Sequence, residues 1–337
     1  MKVLVTGGLG FIGSHTVVEL QNEGFEVIII DNLSNTSLSV LDGIQNITGK
    51  VPAFEQLDLR DKNKVQDFFK RHTDIEGVIH FAASKAVGES VGNPLLYYEN
   101  NINVLVYILQ ELEKKHTANL IFSSSCTVYG QAEKMPITED SSVQTAMSPY
   151  GNTKQIGEEI IIDAAKASSI NAILLRYFNP IGSHPSAEIG ELPLGVPQNL
   201  VPFITQTGIG LRQELSVYGD DYPTPDGTAI RDYIHVVDLA KAHVIAMQRL
   251  LNKKNQDKVE TFNLGTGTGS SVLEVIHAFE KVSGQKLPYT IVARREGDIT
   301  EAYANTHKAN TILGWKAQST LEEAMASAWK WEQKIRS

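Results

Sequence analysis

Cysteine is nearly absent: Cys126 is the only one among 337 residues, so no disulfide can form within the chain. A protein of this size that does without disulfides suits a reducing compartment, and a cytoplasmic location is expected. Basic residues are also in deficit, with 30 Lys and Arg against 39 Asp and Glu and a formal net charge of −9. That balance argues against nucleic acid or an anionic membrane as partner, since both require basic patches. A small anionic ligand, which needs only a few local cations, stays open. Long hydrophobic runs are missing too. No stretch approaches ~18 uninterrupted apolar residues, so no membrane span is expected. The opening Met1–Gly8 holds too short an apolar run for a signal peptide, and glycines follow at once. None of the nine histidines forms a metal-ligand pattern with a second histidine or a cysteine, so no metal site is expected.

What is present is ordinary in amount and ordered in pattern. The hydrophobic share is 42% and charged residues make up 20%, as in a soluble globular protein with a substantial core. At roughly 100–200 residues per domain the length suggests two domains. Short β-branched runs at Lys2–Thr6, Glu26–Asp31, Gly77–Ala82, Asn119–Ser123 and Ala172–Arg176 read as strands. Several are apolar throughout, as strands covered on both faces are. Helical patterns fill the gaps, clearest at Pro94–Lys115 and Pro149–Ser168. The alternation predicts an α/β fold, a doubly wound parallel sheet of Rossmann type. After Asn179-Pro180 the texture becomes rich in proline and glycine. Residues 1–180 are therefore expected to form a dinucleotide-binding domain and 181–337 a smaller α/β substrate domain. Residues 231–260 are expected to pack back on the first, and further helices are expected at Ser271–Ser283 and Leu321–Lys334.

The first strand runs into Gly7-Gly8-Leu9-Gly10-Phe11-Ile12-Gly13 and a helix-like stretch to about Asn22. Glycines at this spacing let the backbone approach a pyrophosphate, whose charge is favoured at a helix N-terminus. A tight turn with no ligand would use the same residues, and context separates the two readings. The motif opens a βαβ unit, and the second strand ends at Asp31, where a carboxylate can accept ribose hydroxyls and would repel the 2′-phosphate of NADP. NAD is the expected cofactor. A second cluster, Gly265-Thr266-Gly267-Thr268-Gly269, lies outside that unit and reads as a turn ending in a helix cap at Ser270.

Ser148-Pro149-Tyr150-Gly151-Asn152-Thr153-Lys154 has the form of a helix start, with Ser148 as cap. Tyr150 and Lys154 then share one face. A tyrosine titrates near 10, too high for a base at neutral pH, but a neighbouring ammonium and a positive nicotinamide ring would lower it. Such a pair is common on solvated helices. Here it is joined by Ser125, at the carboxyl end of the Asn119–Ser123 strand, where α/β ligands bind.

Thr6-Gly7-x-x-Gly10-x-x-Gly13, Ser125 and Tyr150-x-x-x-Lys154 together resemble the extended short-chain dehydrogenase/reductase family. Further segments resemble its UDP-galactose 4-epimerases: Lys85–Ser90, Arg176–Pro180, Asp226–Thr228 with Arg231–Val236, and Arg294–Asp298. The likeness runs from Met1 to about Trp331. It implies NAD-dependent inversion at C4 of a UDP-sugar by transient oxidation to a 4-keto sugar, rotation and re-reduction, with NAD held throughout. By resemblance, Ser125, Tyr150 and Lys154 fall on the catalytic positions. Cofactor contacts would be Gly7, Gly10, Phe11, Ile12, Gly13, Asp31, Asn32, Asn35, Asp58, Leu59, Phe81, Lys85, Asn100 and Phe178, with Tyr150 and Lys154. UDP-sugar contacts would be Asn179, Asn199, Leu200, Tyr218, Arg231, Arg295 and Asp298, with Ser125. The guanidinium forks of Arg231 and Arg295 suit phosphate oxygens. Asp58 could equally be a strand-end cap, and His235 reads as a packed structural histidine.

In the family, the position four residues after that aspartate, here Ala302, lines the sugar pocket. A small residue there implies acceptance of UDP-GlcNAc and UDP-GalNAc beside UDP-glucose and UDP-galactose; the plainer reading is that Ala302 suits helix packing. The family also suggests a homodimer through the Pro94–Lys115 and Pro149–Ser168 helices. Competing readings are a UDP-glucuronate epimerase or decarboxylase and a non-catalytic NAD sensor. A 4,6-dehydratase fits less well, because its Asp-Glu pair is replaced here by Cys126-Thr127.

Overall fold

In the computed structural model, which describes every residue except Thr117, Glu296 and Gly297, seven strands form one parallel sheet. They are β1 (Lys2–Thr6), β2 (Glu26–Asp31), β3 (Ala53–Gln56), β4 (Ile75–His80), β5 (Ala118–Ser125), β6 (Ile170–Tyr177) and a last strand, Val259–Leu264. Their order across the sheet is Val259–Leu264, β6, β5, β4, β1, β2, β3. β1 pairs with β2 on one side and β4 on the other, with Val5 opposite both Ile29 and Ile79. The order in which strands are added therefore reverses at β1, and a crevice opens at the carboxyl ends of β1 and β4, the usual ligand position in open α/β sheets.

Alternate strand residues feed two cores. Val3, Val5, Ile29, Ile79, Ile121 and Ile173 face one side with helix α1 (Phe11–Asn22) and the Val236–Leu251 helix. Leu4, Ile28, Val78, Leu120 and Leu174 face the other with Phe68, Leu105, Ile108 and Ile161. Burial on both faces is why these strands are apolar without alternation.

A third core gathers Ile204, Val217, Ile276, Phe279, Met325 and Trp329 from the Leu200–Gly208, Val272–Ser283 and Leu321–Arg336 helices and the Leu215–Tyr218 strand. Between this core and the sheet lie short strands. Asn179–Ile181 pairs with Tyr233–His235, and Ile230–Arg231 lies between Ser270–Ser271 and Glu301–Ala302. Among the described residues no helix is long and apolar enough to cross a membrane.

Three local readings change. The helical run from Pro94 is interrupted by a π-turn at Glu99–Asn103 before Val104–Leu112. There Asn100 donates to Ser84 Oγ at 2.9 Å and Asn101 to the Ser84 carbonyl at 3.0 Å and Thr153 Oγ1 at 3.0 Å, so the extra residue aims adjacent amides across one gap. The fourth strand ends at His80, not Ala82, because its partner β1 ends at Thr6: the Phe81 amide still meets the Thr6 carbonyl at 3.0 Å, and the Ala82 amide then turns to the Thr6 hydroxyl at 3.4 Å. The late helix is capped by Ser271, not Ser270. Ser270 sits opposite Arg231 in a strand, while Ser271 and Glu274 form a reciprocal capping box.

Candidate active site

Ser148 caps the Pro149–Ala167 helix by accepting the Gly151 amide at 3.1 Å, and Pro149 fills its first turn. One face of this helix then presents Tyr150, Lys154 and Glu158 at successive turns. Lys154 is buried and donates to the Ser123 carbonyl at 2.6 Å; its Nζ lies 4.9 Å from the Phe122 ring centre and 5.8 Å from that of Tyr150. Ser125, the last residue of β5, lies near enough to Tyr150 to favour its ionised form, and its Oγ accepts the Thr127 amide at 3.2 Å. The three residues expected to act together do meet at one strand end.

Their electrostatics differ from the sequence expectation. Burial pushes the Tyr150 phenol up to about 12, and the neighbouring Ser125 hydroxyl, not the lysine, is what opposes the rise. Burial brings Lys154 down to about 8, against the pull of the Glu158 carboxylate. The ammonium is engaged by Ser123, so the chain alone does not make a phenolate at neutral pH.

The glycine turn has the shape its spacing predicts. Gly7 has φ +68°, and a Cβ on it would meet the Ala82 amide nitrogen at 2.8 Å; a Cβ on Gly13 would overlap the Gly7 carbonyl oxygen. Gly10 caps α1 without a side chain, and a Cβ there would meet little but that same oxygen at 3.2 Å. The amides of the first turn, at Phe11 and Ile12, thus face a cradle that only glycine leaves clear. Asp31, ending β2, accepts the Leu9 amide at 3.2 Å and the Leu33 amide at 3.0 Å, so it also fastens the turn. Asn32 accepts the Ser34 amide at 3.0 Å, and Asn35 is exposed. Asp58 is gripped by Arg60, whose Nε and backbone amide both reach one carboxylate oxygen, so it does cap its strand end; Leu59 beside it is buried. Phe81 lies with its ring centre 4.7 Å from that of His243, tilted at 48°, and Phe178 is buried after β6. Gly7, Asp31, Asp58, Phe81, Ser125 and Phe178 all stand at carboxyl ends of neighbouring strands. Lys85, half-exposed, reaches Glu191 at 3.7 Å.

The remaining residues come from the smaller core's side. Arg231 is paired with Asp298 and donates to the Ile230 carbonyl at 2.8 Å. Tyr222 reaches the same aspartate at 3.5 Å, and the Arg295 guanidinium lies 4.0 Å over the Tyr218 ring. Glu296 and Gly297, between the two, fall outside the described residues. Asn199 precedes Leu200 at a helix start and donates to Glu191 at 2.6 Å. The Asn179 amide bonds the Asp232 carbonyl at 2.9 Å. Ala302 lies on a strand in register with Arg231, buried among Val128, Phe178 and Ala304, so helix packing does not account for it. His235 is a helix cap, accepting the Val237 amide at 3.1 Å. Among the described residues no three His, Cys, Asp or Glu side chains stand close enough to hold a metal ion.

A family model described as GDP-mannose 4,6 dehydratase matches residues 4–328. The UDP-glucose 4-epimerase of Bacillus subtilis (strain 168) is 50% identical over 333 residues, covering 98% of this chain and 97% of that protein. The chain belongs to the UDP-glucose 4-epimerases of the extended short-chain dehydrogenase/reductase family. Among solved structures, the Stenotrophomonas maltophila UDP-glucose 4-epimerase with bound NAD and formylated UDP-arabinopyranose superimposes with a TM-score of 0.96. It shares 47% identity, with 100% of this chain and 99% of that one covered. The Bifidobacterium longum UDP-glucose 4-epimerase with NAD+ and UDP gives 0.94 at 46% identity, covering 100% and 99%.

Two features of this epimerase-family site escaped the sequence. The late glycine cluster is a nest for Asp232, which is fully buried and accepts the Thr266 amide at 2.8 Å, the Gly267 amide at 3.2 Å and the Ala304 amide at 3.1 Å. A Cβ on Gly265 would overlap the Asp232 carboxylate. Asp232 thereby ties the strand carrying Arg231 to the segment carrying Ala302. The other feature is a buried ion pair between Glu158 and Arg176 beneath the face that carries Tyr150 and Lys154. Its signal was available: Glu158 continues the Tyr150, Lys154 spacing.

Proposed function

We propose that this chain interconverts UDP-glucose and UDP-galactose by reversible oxidation at C4 with tightly held NAD, and that it also accepts UDP-GlcNAc and UDP-GalNAc. The observation that carries the reading is Lys154, buried one helical turn from Tyr150 with its Nζ 5.8 Å from that ring's centre and bonded to the Ser123 carbonyl, two residues before Ser125 at the sheet crevice. The glycine cradle, the open start of α1 and the carboxylate of Asp31 fit a dinucleotide with free ribose hydroxyls. Gly7, Gly10, Phe11, Ile12 and Gly13 would hold its pyrophosphate, and Asp31 its ribose. When bound, NAD supplies reversible hydride removal and a positive ring that favours phenolate.

The C4 hydrogen of a hexose is not acidic, so deprotonation at carbon cannot invert that centre. Tyr150 takes the hydroxyl proton instead, and Ser125 steadies the oxygen it leaves. Lys154 supplies fixed positive charge behind the phenol. Arg231 and Arg295 anchor the diphosphate, releasing Asp298 and Tyr218 from their present partners, while the flat C4 turns over in a pocket walled by Phe178 and Ala302. A homodimer and a cytoplasmic location complete the proposal, supported by Leu95 and Leu96 standing exposed at the start of the Pro94 helical run and by the free thiol of Cys126.

The test is to incubate the purified protein, without added NAD, separately with UDP-galactose and UDP-GalNAc and to resolve the products. UDP-glucose and UDP-GlcNAc are expected, with Tyr150→Phe slower by about 10²–10⁴-fold, the usual worth of a positioned general base. Conversion that demands stoichiometric NAD, with free NADH accumulating, overturns the reading.

A further inference from the structure

Beneath the Tyr150, Lys154 face the sheet and helix share one buried charge network. Glu158, 4% exposed, receives Ser124 Oγ at 2.5 Å and the Arg176 guanidinium at 2.9 Å and 2.5 Å. Arg176, 8% exposed, also donates to the Tyr129 hydroxyl at 3.0 Å, which donates to Asn263 at 2.6 Å. Ser124 and Arg176 lie opposite each other in β5 and β6, and Ser124 directly precedes Ser125. Ion pairs buried this fully gain little stability over apolar replacements, because desolvation offsets their attraction. The cost of this one calls for a use.

Its placement supplies one. Residues four apart on a helix are neighbours, and Glu158 is the carboxylate next to Lys154 on the buried face. The other titratable groups facing these two are Arg176 from β6, Tyr129 from the turn after β5, His80 from β4 and Tyr150 on the same helix. Glu139 accepts the Asn263 amide at 2.7 Å at the far end of the network and acts on Tyr129, whereas Glu158 is the carboxylate that acts on Lys154.

We propose that Glu158 is a positioning residue: a buried counter-charge, one turn beyond Lys154, that keeps the ammonium charged behind Tyr150 while tying down the strand end that bears Ser125. The idea rests on the function proposed above. Burial already brings Lys154 down to about 8, with Glu158 as the opposing influence. Without that carboxylate the lysine loses its proton near neutral pH, and the phenol loses the charge that favours its ionisation.

The test compares Glu158→Gln with Arg176→Met. Both break the same ion pair, so a merely structural role affects them alike. The first removes the negative charge and the second leaves it. Lys154 is followed by its ¹³Cε resonance in ¹³C-lysine-labelled protein, assigned by its loss in Lys154→Met. Its midpoint is expected to fall by about one pH unit in Glu158→Gln, the lower end of what a neighbouring opposite charge supplies, and not to fall in Arg176→Met. The alkaline limb of turnover should move with it. If Glu158→Gln does not fold, the double variant Glu158→Gln/Arg176→Met, which leaves no charge unpaired, should show a midpoint below that of Arg176→Met, from which it differs only in the Glu158 charge. Equal midpoints in all variants, or a fall in Arg176→Met as large as in Glu158→Gln, overturn the proposal. A wild-type protein that turns over no UDP-sugar sinks the function instead, and the resonance still decides the role of Glu158.

Discussion

Ala302 sets only a methyl group against Phe178, Val128 and Ala304, and it is 5% exposed. Its backbone is fixed by pairing in register with Arg231, the expected phosphate anchor. A larger side chain here cannot swing away with a loop and must enter the space that a substituent on the sugar would use. Ala302→Tyr is therefore expected to lower kcat/KM for UDP-GalNAc by about 10–200-fold, the range a hydrophobic pocket achieves by size. The UDP-galactose reaction should change far less. Equal loss for both sugars in parallel progress curves would remove Ala302 as a gate. At this scale the residues proposed as catalytic could be picked out because the chemistry assigned to them depends on local spacing, as with Tyr150 and Lys154. Asp232 and Glu158 were not. Their roles come from partners distant in sequence: Ala304 and Thr266 for one, Arg176 for the other.

Elements with a strong period could be read directly. The long helices and the apolar strands of the sheet lie where their patterns put them, within a few residues. Two-residue strands such as Ile230–Arg231 and Ser270–Ser271 carry no period at all, and only tertiary pairing defines them. That is why the cap of the Val272–Ser283 helix was placed one residue early. Ser271 accepts the Glu274 amide at 3.0 Å, its own amide reaches the Glu274 carboxylate at 2.7 Å, and its hydroxyl also meets Asp226. Ser271→Ala should cost about 1–2 kcal/mol of stability, as loss of an N-cap does. Ser270→Ala should stay within roughly 0.5 kcal/mol, as a surface change away from such features does. Denaturant midpoints of the two variants decide it; a larger loss from Ser270→Ala would restore the original placement.

For the molecule as a whole, three imidazoles carry a consequence that no segment shows. His15 and His80 are pushed down to about 3 and His243 to about 4, each chiefly by burial. The unfolded chain takes up a proton at each of them as pH falls through ~6.5, while the folded chain does not until much lower. Stability is thus fully present above that pH and drains away below it, at up to ~4 kcal/mol per pH unit for the three together. Paired carboxylates such as Glu55 and Asp58, held below their ordinary values chiefly by Arg71 and Arg60, lose their contribution only at lower pH. Asp31 and Asp232, raised by burial, act in the opposite sense on acidification. A single substitution isolates the histidine part. His243 has one buried ring nitrogen without a hydrogen-bond partner among the described residues, between Phe81 and Tyr177, and its other nitrogen meets the Leu239 carbonyl, which the helix ladder also serves, so Leu can replace it without orphaning a further polar group. In urea titrations between about pH 6.5 and 4.5, His243→Leu should show a stability slope shallower than wild type by ~1.4 kcal/mol per pH unit, one imidazole's share. Parallel curves would mean that His243 is protonated in the folded protein, and that the packing of α1 and the Val236–Leu251 helix against the sheet tolerates a charge it is otherwise built to exclude.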